Sequence, residues 1–396
     1  MKKSYLMIAA AAAMLAACSS NDTFKEVDVQ ESAISFTPYA GIVSKGAIEG
    51  ADYAARKASL ATAGGFVVYG YKTTDLTNSA WSTLNQTVFN GVNVTSSDDG
   101  TTWTYSPKRF WDKNGKYSFY AVAPYNSSIN SNYSINVSSC TSGDANYDAN
   151  YNLNNKKFGY INIANVASNK STDSYDFLLA RTDAAHNVLG SNHTNSSNPT
   201  VNFQFHHVMA KVTFALKSTL VANNAKIEVT SLAMSGWDNA TATFHQETFT
   251  NPTTATDVTE WTLATPAVPG NCTLIGTGGD TSPVIIPCGG NSATATNLTT
   301  WWIMVPQAIE ANTLTFTLSY TYKEIDDKGT PETNDDVITY EETFANQVAT
   351  VENAQTWGTD SYIKYTIDVK PAAIEFDIQS ICNFDNNGDE VVADID

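Results

Sequence analysis

Three arginines and five cysteines carry the most specific side-chain chemistry in this sequence of 396 residues. The cysteines are Cys18, Cys140, Cys272, Cys288 and Cys382. As thiolates they could ligate a metal or exchange disulfides. No two are spaced Cys-x-x-Cys, which excludes zinc ribbons and thioredoxin-like redox motifs. Nothing matches His-Glu-x-x-His, Gly-x-Ser-x-Gly or a phosphate-binding glycine loop. His206 and His207 are neighbours, and in a strand they point to opposite faces, so they do not share one metal. Asn383-Phe384-Asp385-Asn386-Asn387-Gly388, with Asp394 later, has the outline of a calcium loop. Its first position is Asn and no Glu closes it, so a polar turn is the better reading. Asp326-Asp327 with Asp335-Asp336 reads as the solvated end of a hairpin. No nucleophile–base pair or carboxylate dyad stands out. The expectation is a protein that is not an enzyme and has no metal or cofactor.

Charge excludes another class. The chain carries 40 acidic against 22 basic residues, a net charge of -18. It repels phosphate backbones and has no basic, aromatic-studded stripe, so nucleic acid is not an expected partner. Charged residues are 16% of the chain, against about 25% in typical soluble domains. Thr, Ser and Asn must supply the polar surface. Together with 11% aromatics, that mix favours strands over helices.

The first 17 residues read as a signal peptide. Lys2 and Lys3 precede an apolar, Ala-rich run over residues 5–17, shorter than the roughly 20 residues a bilayer span needs. The run ends Leu15-Ala16-Ala17-Cys18, followed by Ser19-Ser20-Asn21-Asp22. Small residues before a cysteine at that place resemble a bacterial lipoprotein signal, in which the cysteine is lipidated and becomes the mature first residue. Residues 18–32 then read as a lipidated tether to the membrane. Export implies an oxidising route. Cys272 and Cys288 flank one Gly/Pro-rich loop and are the favoured pair for a disulfide; free buried thiols are the equal alternative.

The elements that would hold these residues are strands. Residues 34–37 alternate. Residues 66–71 form a continuous apolar run, as expected of a buried strand. Residues 116–123 put Tyr117, Phe119 and Ala121 on one face, after the turn signal Asn114-Gly115. Residues 175–179 read as another strand. Residues 126–174 hold few large aliphatics and read as surface insertion or short strands with long loops. Residues 187–200 carry the best boundary signal, dividing residues 33–198 from 199–396. From 201 to 216 the apolar positions change parity at His206-His207, which predicts a bulge. Further strands are predicted at 226–233, 301–305, 313–322, 337–344, 362–369 and 374–378. No long helical period with caps appears. The reading is all-β, with two sandwich domains in tandem.

The order of these segments resembles the fimbrillin family, the lipoprotein-derived pilins of type V pili. After the lipobox come Ile34-Ser35-Phe36 and residues 66–71. Next is Trp103-Thr104-Tyr105-Ser106-Pro107-Lys108-Arg109-Phe110-Trp111, then Gly115-Lys116-Tyr117-Ser118-Phe119-Tyr120-Ala121-Val122-Ala123-Pro124. Tyr175-Asp176-Phe177-Leu178, Phe205-His206-His207-Val208-Met209-Ala210-Lys211-Val212 and Tyr362-Ile363-Lys364-Tyr365-Thr366-Ile367 complete the series. The resemblance implies two transthyretin-like sandwiches and an outer-membrane lipoprotein precursor that ends in a surface pilus. It implies cleavage by an Arg-specific surface protease, release of the first strand, and refilling of the groove by a C-terminal strand of another pilin, self or accessory.

On that reading residues 34–40, with Ile34 and Phe36, form the released strand. Of the three arginines, Arg109 and Arg181 adjoin strand-like segments. Arg56 lies in a polar, small-residue stretch, so the Arg56–Lys57 bond is the expected cut, with Lys45 the runner-up. The donor candidate is residues 362–369, with Ile363, Tyr365, Ile367 and Val369 on one face; Ile374, Phe376 and Ile378 are the alternative. The acidic tail over residues 385–396 departs from a simple apolar terminal strand, which leaves accessory and tip roles open. A monomeric surface lipoprotein that binds glycans or host ligands through exposed aromatics is the second functional reading, although Trp301-Trp302 itself reads as one core and one surface ring rather than a sugar platform.

Overall fold

The computed structural model describes residues 33–38, 53–73, 86–111, 116–125, 134–138, 160–170, 176–182, 200–222, 224–247, 259–290, 294–326, 328, 337–371 and 373–381. These residues form one helix and 23 strands. The first half holds β1 (Ser35–Pro38), α1 (Tyr53–Thr62), β2 (Phe66–Thr73), β3 (Gln86–Val94), β4 (Lys116–Ala123), β5 (Ser134–Ser138), β6 (Tyr160–Val166), β7 (Asn169–Lys170), β8 (Leu178–Thr182) and β9 (Thr200–His207). The second begins with β10 (Ala210–Lys217), β11 (Ala225–Asp238), β12 (Ala242–Glu247), β13 (Thr259–Leu263), β14 (Pro269–Ile275), β15 (Val284–Pro287), β16 (Thr296–Asn297) and β17 (Trp302–Met304). It ends with β18 (Gln307–Ile309), β19 (Thr315–Asp326), β20 (Val337–Thr350), β21 (Gln355–Trp357), β22 (Tyr362–Lys370) and β23 (Ala373–Ile381).

The N-terminal sheet runs β1-β9-β8-β4-β2-β3. Alternation sends Phe66, Val68, Phe119, Ala121, Phe203 and Phe205 to one face, where Leu60 of α1 and Trp103, Tyr105 and Trp111 close the core. Val67, Tyr69, Tyr120 and Val122 point the other way and pack on Ile163 of β6 and Phe244 of β12. Those two strands belong to a second sheet, β13-β12-β6-β5.

The C-terminal sandwich packs sheet β23-β22-β10-β17-β7 on sheet β14-β11-β19-β20. Phe214 lies across from Phe316 at 6.2 Å, and Tyr365 from Phe316 at 5.5 Å. The molecule is an all-β sandwich fold, as the alternation implied.

Three details differ from the sequence reading. First, there is no bulge at His206-His207. β9 ends at His207, opposite Leu178 in the N-terminal sheet, and β10 begins at Ala210, opposite Met304 in the C-terminal one. Val208 and Met209, both buried, carry the chain across. The parity changes because the strand leaves one core for another. Second, sheet membership does not divide at 198/199. β9 pairs in the N-terminal sheet, while β6 pairs with β12 and β7 with β17. Third, residues 53–62 are helical. Four alanines favour the helix, and Gly64 and Gly65, at φ of 95° and 83°, follow its C-terminus. Leu60 alone supplies a large apolar anchor, too little for a visible period.

Candidate strand-exchange site

β1 is an edge strand, and its side chains sit deep. It pairs with β9 in parallel, from Ser35 beside Thr200 to Pro38 beside Phe203. The Ser35 and Thr200 hydroxyls are 2.7 Å apart. On its other side the Ile34 N–H donates to the Arg109 carbonyl at 2.9 Å, and the Tyr105 hydroxyl donates to the Ile34 carbonyl at 2.7 Å. Ile34 and Phe36 are both buried. The Phe36 ring meets Phe89 at 5.1 Å and Tyr105, Phe119 and Phe203 each at 5.6 Å. Withdrawing β1 would therefore open a slot lined by four aromatic rings. It would also unpair one edge of β9, while the Tyr105 hydroxyl would keep its bonds to the Arg109 backbone at 3.2 Å.

Between β1 and β2 lies α1, with Arg56 and Lys57 near its N-terminus. Arg56 is half-buried, and its Nε lies buried with no hydrogen-bond partner. This corrects the open-stretch expectation, because a protease needs extended backbone and the bond here is coiled. The helix is also clamped. At Gly100, φ is 78°, and a Cβ would come within 2.6 Å of the Lys57 carbonyl oxygen. The loop around Gly100 is held by its own hydrogen bonds: Gly100 N–H to Ser96 Oγ at 2.9 Å and Thr102 N–H to Asp98 Oδ1 at 2.7 Å. The Thr102 N–H, and after it the Ser96 hydroxyl, hold the Asp98 carboxyl low, at about 2. The other arginines are tied into the sheet region. Arg109 Nε donates to the Val88 carbonyl at 3.3 Å, and Arg181 lies on β8 between Tyr120 and Gln204.

The donor candidate occupies a different kind of place. Ile363, Tyr365, Ile367 and Val369 do share one buried face. Yet β22 is interior, paired with β10 along seven residues and with β23 along nine. Trp357 Nε1 donates to the Tyr365 hydroxyl at 3.0 Å, and burial pushes that phenol up to about 12. Buried Asp368 accepts from the Thr219 N–H at 2.8 Å. Pulling β22 out would unmake its own core. β23, the alternative, pairs only with β22 among the described residues.

Cys272 and Cys288 are not bridged; both are free. Cys272 faces Met234 and Pro287 faces Lys226, eight positions apart on β11. At about 3.3 Å per residue that is roughly 26 Å, far beyond the ~6 Å between bridged Cα atoms. Burial pushes the Cys272 thiol up to about 12. Cys18, Lys45 and residues 382–396 lie outside the described residues.

Sequence reasoning missed one buried polar pair. His207 Nδ1 hydrogen-bonds Asp176 Oδ2, with both residues almost fully enclosed. Nothing in the spacing of positions 176 and 207 announces it. Both rings of the tryptophan doublet are half-buried, where one core and one surface ring were expected. The Lys211 ammonium lies 4.2 Å from the Trp301 ring centre, and Trp302 meets Trp237 at 6.4 Å.

Comparison with known proteins places the chain. A solved fimbrial protein from Bacteroides vulgatus is 17% identical, with 88% of this chain and 98% of that one covered at a TM-score of 0.57. The C-terminally truncated tip fimbrial protein Mfa3 from Porphyromonas gingivalis is 9% identical, covering 80% of this chain and 93% of that one at a TM-score of 0.30. No curated protein matches. The Fimbrillin-like family model matches residues 55–381. With most of its length matched, the chain belongs to the Fimbrillin-like family.

Proposed function

We propose that this chain is a structural, non-enzymatic subunit of a cell-surface pilus that supports adhesion. It is exported as an outer-membrane lipoprotein held through Cys18. An Arg-specific surface protease then cuts the Arg56–Lys57 bond, with Lys45 as the second choice. β1 departs, and a C-terminal strand of another pilin fills its slot. The observation that carries the reading is the build of β1: an edge strand whose Phe36 fills the centre of an aromatic core.

Burying Ile34 and Phe36 contributes about 1.5–3 kcal/mol each. That is enough to hold the precursor together, and enough to drive uptake of a replacement strand with apolar side chains at alternate positions. A head-to-tail contact of this kind does not close, so it propagates. β23 is the donor we favour, because it lies at a sheet edge and can leave without breaking the middle of its sheet.

The test is N-terminal sequencing of surface polymer together with negative-stain microscopy of purified precursor with and without trypsin. Polymer beginning at Lys57 and filaments formed only after cleavage support the reading. Polymer still beginning at Cys18, or digested protein that stays solitary beside partner pilins, overturns it.

A further inference from the structure

β20 is an edge of a different character. It is 14 residues long and pairs only with β19 among the described residues. Long exposed edges are normally guarded by charged side chains, lysine above all, by proline, β-bulges, brevity or cover. β20 has neither lysine nor proline. Val337, Ile338, Tyr340 and Val348 are each about half exposed or more, from 46% to 63%. The ladder with β19 is irregular near Thr339 and again near Asn346, where φ is 50°. Between these irregularities, Tyr340 to Phe344 runs as a regular five-residue strand opposite Glu324 to Tyr320.

That stretch has two unlike faces. On the outward face Lys323 lies opposite Glu341 and holds Glu228 at 2.8 Å, so its charges are matched. On the core-ward face Tyr340 lies opposite Glu324, and Glu342 opposite Tyr322. The Tyr340 hydroxyl donates to Glu342 at 2.8 Å, and the Tyr322 hydroxyl to Glu324 at 3.0 Å. Among the described residues, neither of these carboxylates has a basic partner. Glu342 and Tyr340 thus sit on the unpaired edge itself, with Glu324 and Tyr322 one strand further in on the same face.

We propose that the Tyr340–Phe344 edge of β20 is a docking site for an extended segment of another protein that carries lysine or arginine at alternate positions. The segment adds as a strand, its backbone pairing with β20. Every second side chain brings a cation to Glu342 and Glu324 and over the tyrosine rings. A second copy of this chain is the wrong occupant. Antiparallel pairing centred on Glu341 and Glu342 sets acid opposite acid, and the net charge of -18 adds to the repulsion. This site lies on the C-terminal sandwich, apart from the β1 slot, and does not depend on strand exchange.

Fluorescence anisotropy of the full chain with a labelled, end-capped (Thr-Lys)5 peptide tests it. Micromolar binding is expected. Glu342→Lys and Glu324→Lys should each weaken it about tenfold, and Thr343→Pro should weaken it by a similar factor through the backbone. Matched thermal melts of each variant establish that the fold is retained. Three results overturn the proposal: equal binding of a (Thr-Lys)5 peptide interrupted by two prolines, equal binding by all three folded variants, or a dimer in sedimentation that Thr343→Pro abolishes.

Discussion

β1 and β22 both present buried side chains at alternate positions, yet they are held in different ways. β1 pairs its four residues on one side only, at the rim of its sheet. β22 is paired on both sides, with β10 and with β23. Alternation therefore reports burial, and it does not report freedom to leave. Freedom to leave depends on how many neighbours a strand has. By that measure β1 and β23, each at the rim of its own sheet, are the least held, and β22 is fixed between β10 and β23.

The sharpest way to break this contrast is at two aromatic residues. Phe36→Ala should cost the precursor about 3–5 kcal/mol, and should have no effect on protein already cleaved after Arg56. Tyr365→Ala should cost a similar amount in both forms. Urea melts of precursor and cleaved protein measure the difference; equal losses at Phe36 in both would mean that β1 never departs.

Truncation after Lys370 comes next. It should leave a folded, cooperative monomer that forms no polymer, read by thermal melt and microscopy. Loss of the fold would make β23 as indispensable as β22.

A smaller effect is expected at the helix clamp. Gly100→Ala faces both a positive φ and the Lys57 carbonyl, and should cost about 1–2 kcal/mol. Trypsin cleavage after Arg56 should quicken about tenfold, approaching the rate of an isolated peptide of residues 51–63. An unchanged rate would show that the clamp does not limit cutting.

The least effect concerns the thiols. With its thiol at about 12 when folded and near 8.5 when unfolded, Cys272 keeps its proton in the native state. Its contribution to stability is fully present below pH 8.5 and falls as pH rises from there towards 12. At pH 8, iodoacetamide should spare Cys272 in folded protein and label it in urea.

Much of the fold was legible because strand faces are local facts. Tyr117, Phe119 and Ala121 lie in one core as their spacing implied, and Leu314, Phe316, Leu318, Tyr320 and Tyr322 lie in another. Neighbours are not local. No pattern shows that β6 will pair with β12, that Asp176 will meet His207, or that one extended run will serve two sheets. The site was half legible for the same reason. Ile34 and Phe36 announce a buried strand; the helix at Arg56 has local causes but only one large apolar anchor to show for them, and the captivity of β22 arises from partners far along the chain. The cysteine pairing failed because a shared loop is no measure of distance along a shared strand.

The passage from β9 to β10 takes only Val208 and Met209, both enclosed. β9 borders the slot, and β10 runs parallel to β22, which in turn holds β23. A pull on a strand seated against β9 would travel through two residues into the second sandwich. It would load the β10–β22 ladder lengthwise, so that its hydrogen bonds resist together rather than one at a time. Tension on a string of such molecules would run along these paired strands from one sandwich into the next.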